Sequence, residues 1–202
     1  MLSIYKRWEK QEAIMVNFNE RLDKIIPKLK EDKFIEGRGL GNEISFYVFD
    51  YEPVHELEMR DYIQHIKKEF DYDGSTRQIL EVDLYKTLLE ITKEKRIYER
   101  IFQMEERQGK EALFKAMTTF AKPEIFLNKI KEKLDCHNVI FLTGVGKVYP
   151  FVRSHNILNN LQEILDKTPV VMFFPGQYDG QSLQLFSKFK DDNYYRAFRL
   201  ID

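Results

Sequence analysis

The stretch TPVVMFFPG, residues 168–176, decides the fold. From Val170 to Phe174 it is apolar without alternation. A strand with one face in water alternates apolar and polar residues, whereas a strand covered on both faces does not. The run therefore predicts a central strand in a sheet with helices on both sides. Outward from it, HNVIFLT (137–143) is a second short strand, and EISFYVFDY (43–51) a third, rich in aromatic and β-branched residues. The third strand follows the glycine-rich EGRGLGN and is ended by Pro53. RQILEVD (77–83) alternates like a strand and passes into a helix near Leu84.

Helical patterns lie between these strands. Ile14, Phe18, Leu22, Ile25 and Leu29 recur at three- and four-residue steps, with Pro27 dividing the helix because it lacks a backbone donor. VHELEMRDYIQHIKKEF (54–70) places Leu57, Ile63, Ile66 and Phe70 on an apolar side. Arg96 to Leu134 is nearly all helix former, interrupted at Gly109 and at Pro123, which suits the first turn of a new helix. Ser154 is placed to cap the helix HNILNNLQEILDK. The closing stretch SLQLFSKFKDDNYYRAFRLI (182–201) alternates on both sides of Asp191-Asp192-Asn193, which predicts an antiparallel hairpin at a sheet edge.

Strands alternating with helices predict an α/β fold. The expected architecture is an open, mostly parallel sheet flanked by helices, with a helix-rich insertion over about 84–134 and a C-terminal antiparallel edge hairpin. A length of 202 residues suits one domain, 1–202, with an N-terminal helical segment over about 4–34.

Composition narrows the function classes. Apolar residues make up 43% of the chain, with 16 Phe and 11 Tyr, enough for a sizeable core. The net charge of -1 implies no broad basic field, so direct DNA binding by the isolated subunit is not expected. Cys136 is the single cysteine, which rules out an intramolecular disulfide and a cysteine-based zinc site. No apolar run approaches the roughly 18 residues of a membrane span. The N-terminus has charges within its apolar pattern and no small-residue cleavage site, so a cytoplasmic protein without a leader is expected.

FLTGVGKVYPFVRSH (141–155) suggests a phosphate-binding loop and fails as one. That loop needs Gly, four residues, then Gly-Lys followed by Ser or Thr. Here Gly146-Lys147 has Phe141 where the first Gly belongs and Val148 where the hydroxyl belongs. A third glycine, as in a dinucleotide fingerprint, is also missing. The alternative reading is a strand-exit turn that uses glycine's positive φ. At the carboxyl edge of a parallel sheet, Asp50, Glu52, Asp83 and Asp179 would stand where metal or acid/base carboxylates stand in hydrolases. Asp83 lies just before a helix, where capping is the stronger reading. The four histidines show no ligand spacing. Neither a cofactor nor a metal is expected, and no catalytic residue set is complete.

FLTGVGKVYPFVRSHNILNNLQ, PVVMFFPGQYDGQSLQLF and KDDNYYRAFRLI, taken together, resemble the BrxB family of BREX phage-defence proteins. The resemblance extends to FNERLDKIIPKL and ISFYVFDYEP, and so along the whole chain. It rests on Thr143, Gly144, Gly146, Tyr149, Pro150, Arg153 and His155, then on Pro175, Gly176, Tyr178, Asp179 and Gly180, then on Asp192, Asn193, Tyr194, Tyr195 and Arg196. It implies a component of a multi-protein system that blocks phage DNA replication and marks host DNA by adenine methylation. In that system a methyltransferase, an ATPase and a phosphatase-like PglZ protein carry the recognisable chemistry. The family offers no catalytic residues to carry over. What it implies is a non-catalytic adaptor whose partner is a PglZ-like protein or another BREX subunit. Thr143, Gly144, Gly146, Tyr149, Arg153, His155, Pro175, Gly176, Tyr178 and Asp179 are candidate ligand- or partner-facing loop residues. Tyr194, Tyr195, Arg196 and Phe198 are candidate interface residues, because Tyr and Arg at an open edge are common in contact surfaces. A degenerate nucleotide-binding domain and a metal-dependent hydrolase acting on DNA or phosphoesters are the alternatives.

Overall fold

A computed structural model describes residues 18–36, 46–161, 165, 168–190 and 197–201. Residues 18–23 are helical, and a break at Lys24 separates them from α1 (Ile25–Lys30). Pro27 accounts for the break, since it has no N–H to give to the Asp23 carbonyl and its ring crowds that oxygen. A short α2 (Asp32–Glu36) follows. The sequence expectation for Ile14 falls outside the described residues.

The strands β1 (Phe46–Tyr51), β2 (Ile79–Asp83), β3 (Val139–Thr143) and β4 (Val170–Tyr178) form a parallel sheet, joined at its edge by β7 (Phe198–Arg199). Their order across the sheet is β2-β3-β4-β1-β7. Phe46 to Tyr51 pairs residue by residue with Val170 to Pro175, and Ile140 to Leu142 pairs with Val170 to Met172. β4 is thus hydrogen-bonded on both sides, as its unbroken apolar run requires. Val170, Met172 and Phe174 point into one core, and Val171 and Phe173 into the other.

The helices divide between the two faces. The N-terminal helices and α3 (Glu56–Phe70), entered through a 3-10 turn at Pro53–His55, cover one face. There Leu22, Ile25 and Leu29 pack with Ile63, Ile66 and Phe70 against Phe49, Phe141 and Phe173. Met59 completes the buried side of α3, one turn before Ile63, while Leu57 is 69% exposed. The expectation that Leu57 joins the apolar side is corrected on this point: six residues before Ile63, it falls outside the buried stripe.

The opposite face is covered by α4 (Leu84–Glu94), α5 (Tyr98–Phe120), α6 (Pro123–Leu134) and α8 (Ser154–Leu161). The helix-rich insertion is therefore one layer of the fold. Gly109, with φ 82 and ψ 173, kinks α5, and Pro123 sits in the first turn of α6. A four-residue α7 (Val145–Val148) follows β3 directly.

An antiparallel hairpin is present near the C-terminus, as expected for the sheet edge. β5 (Leu183–Leu185) pairs with the end of β4, and β6 (Phe189–Lys190) folds back on β5. The turn between β5 and β6 is at Phe186 and Ser187, both at positive φ; the sequence expectation for a turn at 191–193 lies outside the described residues. Gly176 admits β5: a side chain there would run into the Gln184 carbonyl and come within 2.9 Å of the Phe174 ring. β7 then joins β1 in parallel, with Tyr47 opposite Phe198.

Arg77, buried at the start of β2, ties the N-terminal helices to the sheet. Its guanidinium donates to the carbonyls of Leu29 (2.9 Å), Lys30 (3.1 Å) and Glu31 (3.3 Å). Leu29 and Lys30 close α1, where a helix end leaves carbonyls without intrahelical partners, and the Glu31 carbonyl also accepts from the Phe34 N–H at 3.1 Å.

Candidate functional site

In open α/β sheets the ligand crevice forms beyond the carboxyl ends of two neighbouring strands whose connections leave in opposite directions. Here those strands are β1, which connects toward β2, and β4, which connects toward β7. The crevice between them is filled by the chain itself. Asp50 accepts a hydrogen bond from the Tyr178 backbone N–H (3.0 Å) and pairs with Arg21 at 2.8 Å and Arg199 at 3.6 Å. Arg199 also donates to the Tyr178 carbonyl, and the Tyr178 hydroxyl donates to the Ala197 carbonyl (2.7 Å). Arg21 lies over the Phe49 ring, 4.7 Å from its centre. Where the hydrolase alternative would place its chemistry, the structure has an ion-paired plug.

Of the remaining edge carboxylates, Glu52 is exposed and makes no side-chain cap bond to the turn it precedes, whereas Asp83 and Asp179 are separately occupied. Asp83 caps α4, its Oδ1 accepting from the N–H groups of Tyr85 and Lys86 at 3.1 Å, while its Oδ2 pairs with Lys147. This bears out the capping reading. Asp179 closes a turn, accepting from Gln181 N–H (2.8 Å) and from the N–H and hydroxyl of Ser182 (2.6 and 2.7 Å). Those Ser182 bonds, backbone then side chain, together with the Gln181 bond, pull the Asp179 carboxyl down from 3.8 to about 2. Among the described residues, no three His, Cys, Asp or Glu side chains gather into a group that could hold a metal ion.

The loop 143–153 is built as a packed corner. Gly144 has φ +71, and a side chain there would come within 2.9 Å of Asp83 Cγ, so the turn needs glycine for both conformation and space. Gly146 is helical, and its requirement is steric: an added Cβ would lie 2.8 Å from the Phe186 ring and 3.1 Å from Pro175. The loop and the β5–β6 hairpin are thereby held in contact. Thr143 donates to Glu81 Oε1 at 3.1 Å. Burial works against the Glu81 carboxylate, but bonds from Lys67, Gln64 and Thr143 outweigh it and hold its pKa below the usual range. The Tyr149–Pro150 peptide is cis.

Between the loop and the hairpin lies a cleft of about 340 Å3. Val145, Phe174 and Leu183 contribute to its apolar floor, Tyr149 and Phe189 stand together with ring centres 5.1 Å apart, and Arg153, Lys188 and Lys190 supply its cations. Of the candidate loop residues, the structure brings Tyr149 and Arg153 to this cleft. Thr143, Gly144, Gly146, Pro175 and Gly176 shape its surroundings, Tyr178 is buried, and Asp179 is in its own turn. The His155 side chain and Tyr194, Tyr195 and Arg196 lie outside the described residues. Phe198 is exposed on β7, 6.1 Å from the Tyr47 ring. Sequence reasoning missed the hairpin wall; the alternating Lys188-Phe189-Lys190 was its signal.

Comparison with known proteins gives a consistent family. The chain is 45% identical over 192 residues to a BREX protein BrxB of Bacillus cereus (strain H3081.97), covering 93% of this chain and 100% of that protein. It is 32% identical over 183 residues to a BREX protein BrxB of Escherichia coli O9:H4 (strain HS), covering 90% of each. No solved structure gives a significant match. The family model described as BREX protein BrxB matches residues 80–200, which include the plug's Arg199, the packed loop and both walls of the cleft. With both relatives matched over nearly their whole length, the chain belongs to the BrxB family of the BREX phage-defence system.

Proposed function

We propose that the protein is a non-catalytic docking subunit of its BREX complex, held against the PglZ-like protein or another component of the same system. The observation that carries this reading is the state of the sheet's carboxyl edge. Three of the four acidic groups that a hydrolase would present there are engaged inside the chain: Asp50 with Arg21 and Arg199, Asp83 with Lys147 and the α4 amides, Asp179 with Ser182. The fourth, Glu52, is exposed. Lys147, the residue a nucleotide phosphate would need, is held by Asp83. Beside these closed positions, Phe189 and Phe198 are exposed, as suits contact with another protein.

Co-expression with the other BREX subunits tests the proposal. Tyr194→Ala combined with Arg196→Ala should weaken co-purification with the PglZ-like subunit and leave the isolated protein folded by circular dichroism. Undiminished recovery of the complex would remove this edge as the docking surface.

A further inference from the structure

The cleft between the 145–154 loop and the β5–β6 hairpin has a composition that selects its occupant. Arg153, Lys188 and Lys190 are exposed at its lining, and among the lining residues there is no carboxylate. Lys190 lies within the influence of Asp179, whereas Arg153 and Lys188 form no ion pair among the described residues. Beneath the cations, the floor is apolar, and Tyr149 and Phe189 present ring surface beside it.

A phosphate ligand is gripped by converging backbone N–H groups. The hairpin amides are already taken: Phe186 N–H by the Pro175 carbonyl (2.8 Å), Ser187 N–H by Gln184 (3.2 Å) and Lys188 N–H by Leu185 (3.0 Å). The Val148 N–H is likewise bonded to the Gly144 carbonyl at 3.0 Å. None of these four amides is left for a ligand, and the rim offers flexible side-chain charge above an apolar floor. That combination fits a peptide with carboxylates flanking a hydrophobic anchor, the anchor removing apolar area from water and the rim charges setting its register.

We infer that this cleft receives an acidic peptide segment, with one aliphatic or aromatic anchor residue, from another BREX subunit. The inference rests on the docking reading and names its surface. The anchor enters over Val145, Phe174 and Leu183, and its flanking carboxylates meet Arg153 on the loop side and Lys188 and Lys190 on the hairpin side.

The test is a membrane array of overlapping 15-residue peptides covering the other subunits of the same system, probed with the labelled full-length protein. Peptides with two or more acidic residues around an apolar one should bind, and binding should fall at least tenfold for Arg153→Glu combined with Lys188→Glu. Phe189→Ala should weaken the same peptides, and raised salt should weaken them further. Absence of binding peptides, or peptides whose signal is unchanged in the double variant, overturns the assignment. So does tighter binding of ATP or a dT12 oligonucleotide that the double variant abolishes. Intact-subunit pull-downs separate the two claims. If the double variant still captures its partner, docking stands and the cleft falls; if the unmodified protein captures none, docking itself falls.

Discussion

Replacing Asp50 tests whether the crevice between β1 and β4 is a structural plug. In Asp50→Ala the Tyr178 N–H loses its bond to a charged acceptor, and hydrogen bonds to charged groups contribute about 1.5–3 kcal/mol. Arg21 and Arg199 lose their counter-charge; their side chains are 21% and 36% exposed, so each pair contributes about 0.2–1 kcal/mol. The expected loss is about 2–4 kcal/mol. For a domain of this size that lowers the melting temperature by roughly 5–12 °C. Asp50→Asn keeps an oxygen for the Tyr178 N–H and gives up only the charge, so its loss should be about half as large. Urea unfolding followed by circular dichroism, with the slope checked for constancy, measures both variants. If Asp50→Ala unfolds within about 0.5 kcal/mol of the unmodified protein, a figure typical of surface changes, the plug contributes nothing and Asp50 becomes available for another role. A metal-dependent activity on phosphoesters in the pure protein, abolished by Asp50→Asn without loss of stability, would return the hydrolase reading.

Arg77→Ala should release the N-terminal helices, removing the guanidinium donor from the Leu29 and Lys30 carbonyls at a cost of about 1–3 kcal/mol; hydrogen exchange should speed up over residues 25–36 before it does in the sheet, and uniform protection would refute the clamp. Asp179 should titrate near pH 2 in a carboxyl carbon NMR experiment. Because its folded value is depressed, the turn it closes is fully held above the ordinary carboxyl range and loosens as pH falls from about 4 through 2. A midpoint near 4 would mean the Ser182 and Gln181 bonds do not form in solution.

Much of the fold was legible because its signals are local. Val170 to Phe174 declares burial on both faces without reference to any other residue, Asp83 sits immediately before a helix, and Gly144 and Pro123 announce a turn and a first helical turn. What escaped detection depends on distant partners. The Asp50 plug joins residues separated by 29, 128 and 149 positions, and nothing around Arg21 marks it as a sheet-edge cation. The β5–β6 turn went unread for a different reason: Phe186 and Ser187 turn in a conformation that favours Gly or Asn, and neither residue type announces it. The closing bonds from Phe186 and Ser187 N–H, and the ring of Phe186 against Gly146, hold that turn through tertiary contact. Leu57 shows the same limit: its apolar character says nothing about which side of α3 it occupies.

β4 has a mechanical consequence. Its first six residues lie in the parallel sheet beside β1, and its last three carry the antiparallel hairpin. A pull on the hairpin along this strand is therefore borne in shear by whole rows of hydrogen bonds loaded together, not peeled one at a time. The hairpin is anchored to a strand bonded on both sides. A neighbour gripping it would move the protein as one body, transmitting torque to the sheet with little give at the point of attachment.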